Sequence, residues 1–375
     1  MIILGIESTC DETGATVVEN GRKVLSNIVS SSVKLHNKYK GVVPEIAARE
    51  QVRVIIPVVN EALAKAFGSI RSNNSYKFGC HIDAIAVSYG PGLIGSLLVG
   101  VETAKTLALI WKKPLIPVNH LIGHIYANWI QEDIKNIKEN KVIKVIKGNV
   151  AKYPYCPKYP QSPQFPLVAL IVSGGHTDLL LMTDHGKYKW LGGTLDDAAG
   201  EAFDKVARIL GLGYPGGPKV ERIARQWTMD NGQWTIKLPR PMIDSNNFDF
   251  SFSGLKTAVA NLVHSSQFTV HSREEIAYEF QKAIADVLVT KTINAAKRFN
   301  VREILLGGGV AANSVLRQQL TDHCRGLNIP VKFPPVDLCI DNGAMIAAAA
   351  FFNRKIQSPQ KLQADTSLYF APTKI

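Results

Sequence analysis

Two histidines stand four residues apart in His120-Leu121-Ile122-Gly123-His124. On a helix that spacing puts both imidazoles on one face, where they can share a metal ion. The zinc peptidase version of the pattern carries glutamate after the first histidine as general base. Here that position is Leu121, so peptidase chemistry lacks its proton acceptor. A third ligand is needed, and Asp341, in Asp341-Asn342-Gly343 ahead of an apolar helical stretch, is a candidate that can also cap the helix. Two imidazoles and one carboxylate leave coordination positions open, as a substrate-binding metal requires and a closed structural site does not. The bland alternative is a surface or core histidine pair.

Glycine-rich turns are the second chemical signal. Ser173-Gly174-Gly175-His176-Thr177 lies between two apolar runs, and Gly307-Gly308-Gly309 joins a strand pattern to a helix beginning near Asn313. Backbone amides released by such turns bind phosphate, and a helix start adds its dipole. Gly90-Pro91-Gly92-Leu93-Ile94-Gly95 matches the dinucleotide spacing, but no acid ends the next strand, which reads LIPVNHLIG. Close packing at a helix start is the better reading of it.

These residues sit on a pattern that occurs twice. Residues 2–7, 13–19 and 23–29 read as strands, with Asn20-Gly21 a hairpin signal. A helix over 44–67 follows, with Pro44 just inside its start and Gly68 just past its end. Then come a strand over 82–89, a helix over 94–110, a strand over 114–118 and a helix from His120. From Pro166 the same order returns: strands over 167–173, 177–184 and 187–191, helical pattern over 195–211 and 273–299, a strand over 302–306, a helix over 313–325, a short strand over 330–333 and a helix over 342–353. Duplication of β-β-β-α-β-α-β-α implies two α/β lobes with a cleft between them. The expected division is a first lobe over 1–130, an insertion over 131–165 and a second lobe over 166–375, whose last helix has the option of packing back across the cleft.

Composition narrows the function classes. The chain has 375 residues, enough for two lobes, and a formal net charge of +12, a field suited to a polyanion. Seven lysines fall at 135, 138, 141, 144, 147, 152 and 158, inside the insertion, which reads as a solvated loop or as an arm touching nucleic acid. The longest uninterrupted apolar run, Ala344–Phe352, is far short of a bilayer span, and the first residues lack a signal-peptide pattern. Five cysteines, none in CxxC spacing, point to a reducing, cytosolic setting.

Taken together, GIESTCDETG, GVVPEIAAR, GPGLIGSLLVG, PVNHLIGH, LIVSGGHT, DDAAGEAFDK, GYPGGP, DFSFSGLKTA, GGGVAANSVLR and IDNGAMIA, in that order, resemble the TsaD family of tRNA adenosine threonylcarbamoyltransferases, formerly called O-sialoglycoprotein endopeptidases. The departures are the insertion at 131–165 and the tail after Arg354. The resemblance implies an actin/hexokinase/Hsp70-like fold of two ribonuclease-H-like lobes. It implies transfer of a threonylcarbamoyl group from threonylcarbamoyl-AMP to the N6 amine of the adenosine 3′ of the anticodon, in tRNAs reading codons that begin with A. By the same carry-over His120, His124 and Asp341 hold one divalent metal, Fe2+ or else Zn2+. Ile171, Val172, Ser173, Gly174, Gly175, Asp204, Gly217, Glu221 and Asn313 hold the nucleotide, and Asp11 and Glu12 lie where the acceptor amine arrives. Partners implied are tRNA and, in bacteria, an inactive TsaB-type paralogue and a small TsaE-type ATPase. A small-molecule kinase of the same fold gives no role to the two histidines. A non-catalytic scaffold in a tRNA-modifying complex would tolerate their loss.

Overall fold

The computed structural model describes residues 1–39, 41–68, 79–131, 162–227, 236–265 and 272–370. Most of the basic insertion, and with it all seven of its lysines, lies outside them. Contacts divide the chain into two units, Met1–Ser162 with Ile340–Tyr369, and Pro163–Cys339 with the chain end from Phe370.

In the first unit β1 (Ile2–Glu7), β2 (Glu12–Glu19) and β3 (Lys23–Ser31) form an antiparallel meander. Asn20 and Gly21 take φ of 53° and 66°, the geometry that an Asn-Gly hairpin requires. Helices α1 (Val33–His36) and α2 (Pro44–Phe67) lead to β4 (Ala84–Gly90), which pairs parallel with β1. Then follow α3 (Ile94–Trp111), β5 (Leu115–Asn119) and α4 (His120–Tyr126). The sheet order is β3-β2-β1-β4-β5. Leu4 and Ile6 of the central β1 join Val17, Ile55, Leu63, Val101 and Ala104 in the core beneath α2 and α3. Strand alternation puts Gly5 and Glu7 on the other face.

The second unit repeats the plan. It contains β6 (Leu167–Val172), β7 (Thr177–Asp184), β8 (Lys187–Gly193), α5 (Ala199–Ile209), α6 (Gly216–Ala224), α7 (Ser253–His264), α8 (Ser272–Arg298), β9 (Glu303–Gly307), α9 (Ser314–Leu327), β10 (Val331–Lys332) and α10 (Val336–Cys339). Its sheet order, β10-β9-β6-β7-β8, matches the first position for position when read from the other edge. Val168, Leu170 and Val172 enter a core with Phe203, Phe280, Ile284 and Leu316.

The last helix, α11 (Gly343–Phe352), belongs to the first unit, although chain order assigns 166–375 to the second lobe. Small residues are the reason. A methyl built at Gly5 would overlap the carbonyl oxygen of Gly343, and one at Gly14 would come within 2.9 Å of the Gly343 nitrogen. Three glycines thus let the helix start lie directly on β1 and β2. The helix is buried from Gly343 to Ala350, which explains its unbroken apolar run.

Helices α1, α6, α7 and α10 are absent from the sequence-based expectation. Helix α6 begins inside the Gly-Tyr-Pro-Gly-Gly-Pro stretch. By length and composition α3 passes the test for a membrane span that uninterrupted runs did not reveal. Its Leu97, Gly100, Val101, Ala104 and Ala108 side is buried against the first unit, and Glu102 and Lys105 pair at 2.7 Å on another side. It is a core helix. The Gly90–Gly95 turn is close packed, with a methyl at Gly92 falling 2.8 Å from the Thr9 carbonyl oxygen.

Candidate functional site

Strand β5 ends at Asn119, whose side chain accepts from the Leu121 and Ile122 nitrogens at 2.9 and 3.3 Å. That cap starts α4 at His120 and sets His124 one turn later. Both imidazoles are buried, with ring centres 4.7 Å apart. Gly123 lies between them. A methyl there would come 2.9 Å from Ile346 of α11, so the glycine admits α11 alongside α4. The cap expected at Asp341 is made instead by Asn342, whose side chain accepts from the Met345 nitrogen at 3.0 Å. Asp341 is turned to the histidines, its Oδ1 lying 3.2 Å from His124 Nε2 and 3.6 Å from His120 Nε2.

One donor atom from each of His120, His124 and Asp341 falls within 4.8 Å of the others. Both ring nitrogens of His124 are buried, and among the described residues neither makes a hydrogen bond, although Nε2 has the Asp341 carboxylate beside it. An imidazole left so is costly unless something else takes its lone pair. Two imidazoles and one carboxylate form a donor set suited to Zn2+ or Fe2+, so these residues fit one divalent cation. Burial works against a proton on His120, but the carboxylates of Glu7 and Asp341 outweigh it and hold the ring up to about 9.

The acidic loop of the resemblance lies near this group. Burial, then Asp11 and Asp341, push the Glu12 carboxyl well above its ordinary value, while a hydrogen bond from Ser31 works the other way. The same neighbours and burial raise the Cys10 thiol, which argues against a thiolate nucleophile there. Asp11 is buried, and its carbonyl accepts from both the nitrogen and the hydroxyl of Ser32. The Gln51 amide of α2 donates to the carbonyls of Ser8, Cys10 and Glu12. These contacts fix the loop's backbone.

In the second unit the expected nucleotide residues lie in turns and helix starts, each with local contacts of its own. Ser173 closes its own turn, its nitrogen donating to the His176 carbonyl at 2.8 Å. Open space lies over Gly174, Gly175, Gly217 and Gly309, as a ligand-facing surface requires. A methyl at Gly308, whose φ is 92°, would overlap the Val172 carbonyl, so this glycine lets the two turns lie side by side. Asp204 accepts the Gly216 amide at 2.6 Å, and Glu221 accepts from the nitrogen and hydroxyl of Ser314. The side chains of three further expected residues are taken up by the fold. Asn313 caps α9 through the Leu316 nitrogen and donates to Gln281. The side chains of Ile171 and Val172 are fully buried, which leaves only their backbone for a ligand.

Residues that the sequence reading missed are Glu7, Thr9, Gln51 and Asn119. A signal existed for Glu7: a charge ending the apolar run IILGI is an odd residue to bury.

Comparison with known proteins adds to this geometry. The family described as TsaD: tRNA N6-adenosine threonylcarbamoyltransferase matches residues 23–144 and 151–348. A protein of that name from Dehalococcoides mccartyi is 49% identical over 352 residues, covering 94% of this chain and 93% of its own. Another from Moorella thermoacetica is 47% identical over 366 residues, covering 96% and 95%. Among solved structures, T. kodakarensis HypF aligns with a TM-score of 0.55 at 14% identity, over 93% of this chain and 47% of that one. Full-length HypF in a phosphate- and nucleotide-bound form gives 0.52 at 11%, over 94% and 46%. Identity this low speaks to the fold alone, the two-sheet arrangement of the actin/hexokinase/Hsp70-like class.

Proposed function

The chain belongs to the TsaD family of tRNA N6-adenosine threonylcarbamoyltransferases, and from that premise we propose how its own residues carry the transfer. It is a transferase that modifies adenosine in tRNA. The relatives' names leave the kinase and scaffold readings without a supporting observation.

In the proposed reaction the adenine N6 attacks the carbamoyl carbon of threonylcarbamoyl-AMP. A C–N bond forms, the bond from that carbon to the phosphate oxygen breaks, AMP leaves, and the amine loses one proton. His120, His124 and Asp341 hold one divalent cation, of which Fe2+ is the first choice and Zn2+ the second. Bound there, a cation supplies Lewis-acid polarisation of the donor's oxygens. Open turns at Gly174, Gly175 and Gly217 offer backbone amides to the adenylate phosphate, and Asp204 suits the ribose diol. Glu12 takes the amine's proton, a role in keeping with a carboxyl whose proton affinity its surroundings raise. Asp11 shapes the loop that presents it. The acceptor is the adenosine 3′ of the anticodon in tRNAs reading codons that begin with A, with TsaB-type and TsaE-type proteins as partners.

The observation that carries this reading is the His120–His124–Asp341 group, brought together from two distant stretches of the chain. Mass spectrometry of nucleosides from tRNA incubated with the protein, threonylcarbamoyl-AMP and candidate partners tests it. Wild type yields threonylcarbamoyladenosine. His124→Ala loses both the product and stoichiometric metal, and full metal content in that variant refutes the ligand assignment.

A further inference from the structure

The two ring nitrogens of His120 have different surroundings. Nε2 faces Asp341. Nδ1 lies 3.0 Å from Glu7 Oε2 and 3.2 Å from Thr9 Oγ1. A carboxylate oxygen accepts, so Nδ1 carries a hydrogen and donates it to Glu7, and Nε2 is the nitrogen left for a cation held beside Asp341.

Glu7 is wholly buried at the end of β1, and its other oxygen, Oε1, accepts the Thr9 nitrogen at 2.6 Å. Thr9 is itself held, because its carbonyl accepts the Leu93 nitrogen at 2.9 Å and Gly92 packs directly on it. Both oxygens of the carboxylate are therefore fixed. Burial of an unpaired carboxylate is strongly unfavourable, and among the described residues its ion-pair partner is His120. An apolar residue would end the strand at no such cost. The charge has a use at the imidazole.

Resting on the metal-centre reading above, we propose that Glu7 is a positioning residue for that centre. It sets the tautomer and orientation of His120 and presents Nε2 to the cation shared with His124 and Asp341. A carboxylate behind a ligating imidazole also raises its basicity. Glu7 is not itself a fourth ligand, since its oxygens serve the Nδ1 side and the Thr9 amide. Among the described residues His124 has no comparable partner on Nδ1, so His120 is the anchored ligand of the pair.

The test titrates metal-free wild type, Glu7→Gln, Glu7→Ala and His124→Ala with Co2+ against a chromophoric chelator. The visible ligand-field bands are recorded, and circular dichroism follows the fold. Glu7→Ala should bind about 10–100-fold more weakly than wild type. Glu7→Gln, whose single carbonyl oxygen cannot serve both His120 and Thr9, should fall between them, with altered bands. Affinities within twofold of wild type and unchanged bands overturn the proposal. If Glu7→Ala does not fold, Glu7→Gln decides by the same criterion. Wild type binding no more tightly than His124→Ala refutes the metal centre, and the role of Glu7 with it.

Discussion

Asp204 has two demands on one carboxylate. Its Oδ1 already accepts the Gly216 amide, which fixes the start of α6, and the proposed function gives it a ribose as well. Loss of a hydrogen bond to a charged group costs about 1.5–3 kcal/mol, or roughly ten- to a hundredfold in affinity. Asp204→Ala should therefore weaken AMP binding by about that factor in calorimetry. Asp204→Asn keeps an acceptor for Gly216 and should lose less. Unchanged affinity in both removes Asp204 from the nucleotide site. The histidine pair was legible in the sequence because its geometry is local: four residues of helix bring the rings together. Glu7 was not, because its meaning lies in an imidazole 113 residues away.

Among the elements, α7 shows how a helix can depend on a residue from elsewhere. Asp196, in the loop between β8 and α5, accepts from the Phe252 and Ser253 nitrogens and from the Ser251 and Ser253 hydroxyls. Partial burial pushes its carboxyl up, but these hydrogen bonds outweigh it and lower the value. The stabilisation is thus fully present above the unfolded carboxylate value of about 4 and fades as pH falls through the lower folded one. Asp196→Ala should cost about 1 kcal/mol at pH 7 in urea unfolding. The gap from wild type should close in acid, and a gap that persists below the folded value contradicts the capping role. The docking of α11 gives a second expectation. Gly5→Ala forces a methyl against the Gly343 carbonyl, and overpacking of this kind costs about 1–3 kcal/mol. Because that shift moves the start of α11, which follows directly on the Asp341 loop, the variant should also bind metal more weakly by the same Co2+ titration. Full affinity together with a lowered unfolding midpoint would separate the docking from the site.

For the whole molecule, charge and connectivity carry the remaining argument. The excess of +12 includes the seven insertion lysines, and phosphates neutralised by lysine release counterions. Deleting 135–158 should flatten the dependence of tRNA binding on salt by about 0.7–0.9 in log–log slope per lost phosphate contact, with AMP affinity unchanged. An identical slope means those lysines are merely solvated. The sequence by itself determined the repeated strand and helix order, the Asn20-Gly21 hairpin and the shared face of His120 and His124. Each depends on backbone preferences and side-chain spacing within a few residues, so each is written where it acts. Only the tertiary structure decided that Ile340–Tyr369 joins the first unit, that Asn342 rather than Asp341 caps α11, and that Glu7 backs His120. Those outcomes turn on which glycines let distant backbones touch, and on which buried polar atom finds which partner, and neither is encoded by neighbours in the chain.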